Sequence, residues 1–185
     1  PEALAALKRV ADRKELAIDV VAYPDILMFE NVAATREYSN RFRIGGVKLT
    51  IDGSPQGKTA WLSHPYHVPP EGQDEDYLGY PAIDVEVVNS NVMRAFDEGW
   101  QILVHSNGDA ATDALIHAVR GARQKYPDLE NRPVLIHGQV LRRDQVAALD
   151  ELDIFPSLFP MHTFYWGDWH RDSVLGPERA QNISH

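Results

Sequence analysis

Apolar positions along this chain follow two rhythms, and in its second half the two alternate. The opening stretch ALAALKRVADRKEL has helical apolar spacing and ends in basic residues that suit a helix C-terminus. Ile18 to Ala22 (IDVVA) predicts a buried strand, stopped by Tyr23-Pro24. Residues 25–43 predict a short helix with loops, and Ile44 to Ile51 (IGGVKLTI) the next strand. From Ile83 the pattern is regular. It predicts a helix over 84–98 with Gly99 as its C-cap, a strand over Gln101 to His105, and a helix over 109–124 with Asp109 as N-cap. A strand over Pro133 to His137, a helix over Arg142 to Leu152 and a strand over Ile154 to Phe159 follow. The C-terminal stretch, with Trp166, Trp169 and Gly176-Pro177, predicts a loop leading into a helix start. Strands alternating with helices over short connections are the signature of a parallel sheet, so the fold class is α/β.

One segment breaks the rhythm. Residues 52–81 hold five prolines and the aromatics Trp61, Tyr66, Tyr77 and Tyr80. A connection of that length in a compact domain is a functional lid or binding loop, or else a packed surface excursion. If it is a binding loop, its aromatics place an apolar or ring-bearing group near the site.

Composition narrows the function classes. The 185 residues fit one domain with a sizeable core. Eighteen basic against 27 acidic side chains give a formal charge of -9, and no Lys/Arg-rich run offsets it, which disfavours a nucleic-acid partner. The short basic clusters, Arg41 to Arg43 and Arg142 with Arg143, read as solvated surface or helix-start residues. There is no cysteine, which removes disulfides, thiolate metal sites and a cysteine nucleophile. No apolar run approaches the ~20 residues that span a bilayer, so no membrane partner is expected. No secretory signal is visible. A cytoplasmic location is the expectation, with the natural N-terminus expected to lie outside this stretch.

His105 and His137 carry the chemistry. Each ends a short apolar strand just before a helix, in ILVHSNGDAATDAL and PVLIHGQVLRRDQV. In a parallel sheet or barrel the strand ends gather on one rim, so residues far apart in sequence meet there. Neutral imidazole binds Zn, Fe or Ni and also serves as acid or base. The bland reading of either histidine alone is a hydrogen-bonded core or cap residue; two at equivalent positions point to one shared site. Lys48 lies in mid-strand in GGVKLTIDG, where a rim-facing amine is desolvated and can capture carbon dioxide as a carbamate. Its bland reading is an edge lysine reaching solvent. His162 follows the last strand and is placed to contact substrate or a metal-bound water. Asp52, Asp109 and Asp168 are candidate supporting or acid/base carboxylates, with capping and turn chemistry as their ordinary role. His64, His67, His117 and His170 read as loop or helix-face residues, and His185 as a disordered terminus. Ser54 lies in no G-x-S-x-G elbow, and no Walker loop, EF-hand or H-E-x-x-H is present.

Four stretches together resemble the amidohydrolase superfamily: GGVKLTIDGSPQGKTAWLSHPY, ILVHSNGDAATDALIHAV, RPVLIHGQVLRRDQVAAL and FPSLFPMHTFYWGDWHRDSVLGPERA. The resemblance is to the YtcJ-like, amidohydrolase 3 branch that includes N-substituted formamide deformylase. It covers most of the chain from about residue 44 to 180, in the family's order. It implies a distorted (β/α)8 barrel of the TIM type with divalent metal on its C-terminal rim, zinc first and Fe, Ni or Mn as other occupants. Lys48 matches the carbamylated, metal-bridging lysine on strand 4, His105 the ligand on strand 5 and His137 the ligand on strand 6. The implied chemistry is attack by a metal-bound hydroxide on an amide or other C–N bond of a small-molecule substrate, with one or two ions in the whole protein and one or none in this stretch alone. Asp52, Asp109, His162, Trp61 and Tyr80 would support the ligands or contact substrate.

The chain also departs from the family. No H-x-H pair precedes Lys48, and the sequence stops before the strand 8 Asp, the expected catalytic base, would appear. The expectation is an incomplete barrel of about strands 3–7. As an isolated piece it would be inactive, and its open edges would favour self-association. The alternative is a truncated, non-catalytic barrel acting as a binding or structural module.

Overall fold

Four parallel strands form the centre of the computed structural model, which describes residues 2–184. They are β3 (Gly46–Thr50), β4 (Gln101–Ser106), β5 (Val134–His137) and β6 (Phe155–Leu158), adjacent in that order. Two shorter strands, β1 (Val20–Ala22) and β2 (Phe42–Ile44), pair in parallel with each other. The chain after β1 also touches the edge of β3: Lys48 N–H donates to the Pro24 carbonyl, and Ile26 N–H to the Lys48 carbonyl. Tyr23-Pro24 therefore bends the strand rather than ending its pairing. Helices α1 (Glu2–Asp12), α2 (Val85–Asp97), α3 (Asp109–Lys125), α4 (Arg143–Glu151), α5 (Met161–Trp169) and α6 (Gly176–Arg179) complete the elements. The sheet does not close: it is an open parallel α/β layer, as an incomplete barrel requires. Among the described residues no helix is long and apolar enough to cross a membrane.

Strand periodicity explains which way each side chain faces. Val47, Leu49, Ile102, Val104 and Leu135 point to one side and are fully buried against Val88, Val92 and Phe96 of α2 and Leu115 and Val119 of α3. Their neighbours Lys48, Leu103, His105, Val134 and Ile136 point to the other side and are only part-buried. In a closed barrel that second side is the interior; here it lies open, and Phe155 on β6 is 57% exposed. Burying Leu or Val on the helix side contributes about 1.5–3 kcal/mol each, so that side carries the stability.

Several expected elements shift. Residues 25–43 contain no helix; they form loops and β2, whose three residues are too few for a periodic signal. The C-terminal stretch is not a loop: α5 runs into a wide π-turn at His170–Val174 and then into α6. Gly108, not Asp109, caps α3, and the Asp109 side chain makes no cap hydrogen bond. Gly99 follows α2 with φ 65°, a left-handed conformation suited to glycine at a helix end. The long loop is packed rather than free. Ala60, Leu62 and Tyr66 bury against Val174 and Leu175, and His67 and Val68 N–H donate to the Val174 and Ser173 carbonyls. His185 lies outside the described residues.

Candidate functional site

β4 and β5 deliver their last inward-facing residues to the same rim. The His105 and His137 rings stand edge to face with centroids 4.6 Å apart. His105 Nε2 lies 2.8 Å from the Gly53 carbonyl oxygen. A carbonyl only accepts, so Nε2 carries the proton and Nδ1 holds the free lone pair. Asn107 Nδ2 lies 3.1 Å from the same His105 nitrogen and also 2.8 Å from the Gly53 oxygen. Both groups therefore donate to that oxygen, and the Asn107–His105 approach is a contact rather than a hydrogen bond. This fixing of one imidazole nitrogen is how proteins orient a histidine ligand.

Asp52 fixes the backbone beneath. It ends the stretch after β3 with its side chain fully buried, and its carboxylate accepts from three backbone N–H groups: Asn107 at 2.9 Å, Gly108 at 2.8 Å and Trp61 at 3.0 Å. Burial pushes its carboxyl up, while the three N–H groups and His105, whose Nε2 is 3.7 Å away, pull it back. Asp52 thereby ties the long loop to the β4–α3 turn. That turn holds the backbone so close that a Cβ on Gly108 would meet the Trp61 carbonyl at 1.8 Å.

His137 closes β5 with φ 81°, a conformation that costs a non-glycine residue on the order of 1–3 kcal/mol. Burial first, then His105, Lys48 and His162, push its imidazole down to about 4. It is therefore neutral near pH 7, the form that binds metal. Lys48 faces the same interior one register step below the rim, and burial pushes its ammonium down to about 8 against the pull of Asp25. Its Nζ donates to the Leu49 carbonyl. Two imidazoles and a desolvated amine fit a divalent cation as part of a ligand set. Among the described residues no group of three or more His, Asp or Glu is arranged to hold one.

Other candidates are distributed differently. His162, on α5, is part-buried beside Phe159, its ring centroid 6.5 Å from that of His137. Asp109 is buried, but it accepts from Ser63 N–H and from the Ser63 hydroxyl, and Arg142 reaches it at 3.4 Å; it anchors the loop. Asp168 is exposed and pairs with Arg171. Trp61 packs against the main core and Tyr80 is 51% exposed; neither makes a hydrogen bond or ring contact with the histidines among the described residues.

His170 corrects the sequence reading. It is fully buried, and its Nε2 lies 2.8 Å from Gln139 Nε2. Gln56 Nε2 reaches both Gln139 Oε1 at 3.4 Å and His162 Nδ1 at 2.5 Å. Sequence reasoning passes over Gln56, Asn107, Gln139 and His170. One signal was available: an amide follows each rim histidine by two residues, in His105-Ser106-Asn107 and His137-Gly138-Gln139.

The chain resembles known proteins over most of its length. The chain is 29% identical over 138 residues to the protein YtcJ of Bacillus subtilis (strain 168), an alignment covering 74% of this chain and 24% of that protein. It is 29% identical over 145 residues to the protein LONG AFTER FAR-RED 3 of Arabidopsis thaliana, covering 77% and 23%. Among solved structures, an uncharacterized metal-dependent hydrolase from Pyrococcus furiosus superposes with a TM-score of 0.80 at 29% identity, over 98% of this chain and 36% of that one. A second, from Pyrococcus horikoshii OT3, gives 0.80 at 26% identity, over 99% and 36%. The chain thus spans about a quarter of the length of these curated relatives and about a third of these solved chains. The Amidohydrolase family profile matches residues 1–185, and the chain belongs to that family of hydrolases.

Proposed function

We propose that the protein containing this chain hydrolyses a carbonyl C–N bond, in an amide or related small molecule, at a divalent metal held by Lys48, His105 and His137. The observation that carries this reading is the His105–His137 pair, with His105 Nε2 spent on the Gly53 carbonyl and Nδ1 left free. Membership of the Amidohydrolase family and likeness to metal-dependent hydrolases support it. The whole architecture we infer is a (β/α)8 barrel in which these strands are about strands 3–7.

Each residue has a part. His137, neutral because it is buried among other basic groups, offers a lone pair without first losing a proton. His105 is held in one tautomer by Gly53, and Asp52 keeps the turn that carries it in place. Lys48, depressed by burial, supplies a neutral amine fraction at mildly alkaline pH, which carbon dioxide converts to an anionic oxygen donor. A divalent ion bound there supplies Lewis-acid polarisation of the carbonyl and acidifies water. Zinc suits imidazole and oxygen donors first, with iron, nickel and manganese as alternatives.

The test is the metal content of the purified chain, and of a His105→Ala/His137→Ala double variant, by elemental mass spectrometry. Near-stoichiometric zinc or iron that disappears in the double variant is expected. Metal at the double variant's background in the wild-type chain would overturn the ligand assignment for this chain and leave a binding or structural module. In the full-length protein, either single substitution is expected to abolish hydrolysis.

A further inference from the structure

The polar groups beside the rim form a directional line. Gln139 Nε2 donates to His170 Nε2 at 2.8 Å, which places the His170 proton on Nδ1. The Gln139 oxygen accepts from Gln56 Nε2 at 3.4 Å. The second hydrogen of that Gln56 nitrogen points to His162 Nδ1 at 2.5 Å. An imidazole that accepts at Nδ1 carries its proton on Nε2. Among the described residues His162 Nε2 is buried with no hydrogen-bond partner, and so is His170 Nδ1. A buried donor without an acceptor is destabilising, and of the two His162 is the one whose ring stands against that of His137, so its retention calls for a role.

Resting on the metal-site reading above, we propose that Gln56, Gln139 and His170 fix His162 as an Nε2–H donor, and that this N–H binds the oxygen of a substrate carbonyl held beside His137. His162 is the residue that touches substrate; the two glutamines and His170 are positioning residues. Two features favour this role. Its ring stands 6.5 Å from that of His137, so the fixed donor lies beside the proposed metal site. Burial lowers the His162 imidazole, which favours its neutral form. Gln56 also holds the far end of α5, because its carbonyl accepts from Trp169 Nε1 at 3.1 Å. A preorganised donor aimed at a developing oxyanion is typically among the larger contributions to acyl-group hydrolysis.

The test is a two-bond proton–nitrogen correlation spectrum of the chain labelled with nitrogen-15 histidine. The wild-type chain is expected to carry the His162 proton on Nε2. Gln56→Glu replaces the amide donor with a carboxylate acceptor and is expected to move that proton to Nδ1. Gln56 lies in a loop and is only part-buried, and Gln56→Ala, expected to give mixed tautomers, is the second variant. Zinc is then added, followed by acetate as a carbonyl-oxygen probe. Zinc is expected to move the His105 and His137 resonances, and acetate to move His162 in the wild-type chain but not in Gln56→Glu. A wild-type His162 proton on Nδ1, or a tautomer indifferent to both variants, overturns the inference. Zinc that moves His105 and His137 while acetate leaves His162 unmoved overturns this inference alone. Zinc that moves neither histidine removes the metal-site reading and the donor role with it.

Discussion

His105 and Asp52 meet the same turn from opposite sides. His105 donates from Nε2 to the Gly53 carbonyl, while Asp52 next in sequence accepts the N–H groups of Asn107 and Gly108, and its Oδ1 comes within 3.7 Å of the imidazole. Counting Trp61, three backbone N–H donors share the Asp52 carboxylate as their acceptor. Asp52→Asn puts an NH₂ group against at least one of them and leaves that donor unpaired. The expected cost is about 3 kcal/mol in urea unfolding of the metal-free chain, near the upper end for a buried hydrogen bond to a charged group. Zinc affinity is expected to fall by about 10–100-fold because the turn carrying His105 is released. An unchanged urea midpoint would show that the carboxylate charge is not needed to hold the turn.

His137 allows strain and ligation to be separated. At φ 81° a glycine sits without penalty and an alanine does not. His137→Gly is therefore expected to be more stable than His137→Ala by about 1 kcal/mol, although both remove the same ligand. Equal stability of the two variants would mean that the backbone relaxes once the imidazole is gone. Zinc binding should be lost in both, which ties the strained conformation to the ligand it presents.

Acid sensitivity follows from His170. Its ordinary value is 6.5, and burial, with His162 second, pushes it down to about 4 in the folded chain. Above pH 6.5 it is neutral in both folded and unfolded states and the full stability is present. Between 6.5 and 4 the unfolded chain binds a proton that the folded chain does not, so stability falls as pH falls. The ring is fully buried, and the loss across that window is on the order of 3 kcal/mol. Urea unfolding at pH 7.5 and 5 captures about 2 kcal/mol of it. His170→Gln is expected to lose this part of the acid dependence, and an identical acid slope in the variant would count against a buried neutral His170.

The rim histidines are legible in the sequence because strand and helix signals bracket them tightly. Three strand-forming apolar residues precede each one, Ile102 to Val104 and Val134 to Ile136, and a helix start follows, so their positions at equivalent strand ends need no tertiary information. The open interior face is legible less directly. Lys48 and His105 sit on it by alternation alone, but their partial exposure follows from the sheet remaining open. By contrast β2 has only three residues, and no period can be read from so few. In α5 the polar Asp168 and His162 fall among the apolar residues Met161, Phe164, Tyr165, Trp166 and Trp169, so no clean apolar stripe announces it. His170 is hidden for the same reason: only the wide turn after α5 carries it into the interior beside Gln139.

The Trp61–Gly108 approach gives the sharpest steric test. A Cβ on Gly108 would meet the Trp61 carbonyl oxygen at 1.8 Å and its carbonyl carbon at 2.5 Å, and both are backbone atoms that no rotamer change can move aside. Gly108→Ala must therefore push the long loop off the start of α3, where Trp61 also receives the Ala111 N–H. The expected cost is about 1–3 kcal/mol, as for other overpacked sites, with zinc affinity falling because Asp52 spans the same two segments. Gly121, inside α3, is the control: an added Cβ there meets nothing within 4 Å. Gly121→Ala is expected to stabilise the chain by about 1 kcal/mol through helix propensity and to leave zinc binding unchanged. Urea unfolding and zinc titration of the two variants side by side check both expectations. A Gly108→Ala chain as stable as wild type would mean that the loop is free to move away from the site, and that Asp52 rather than backbone contact holds the rim together.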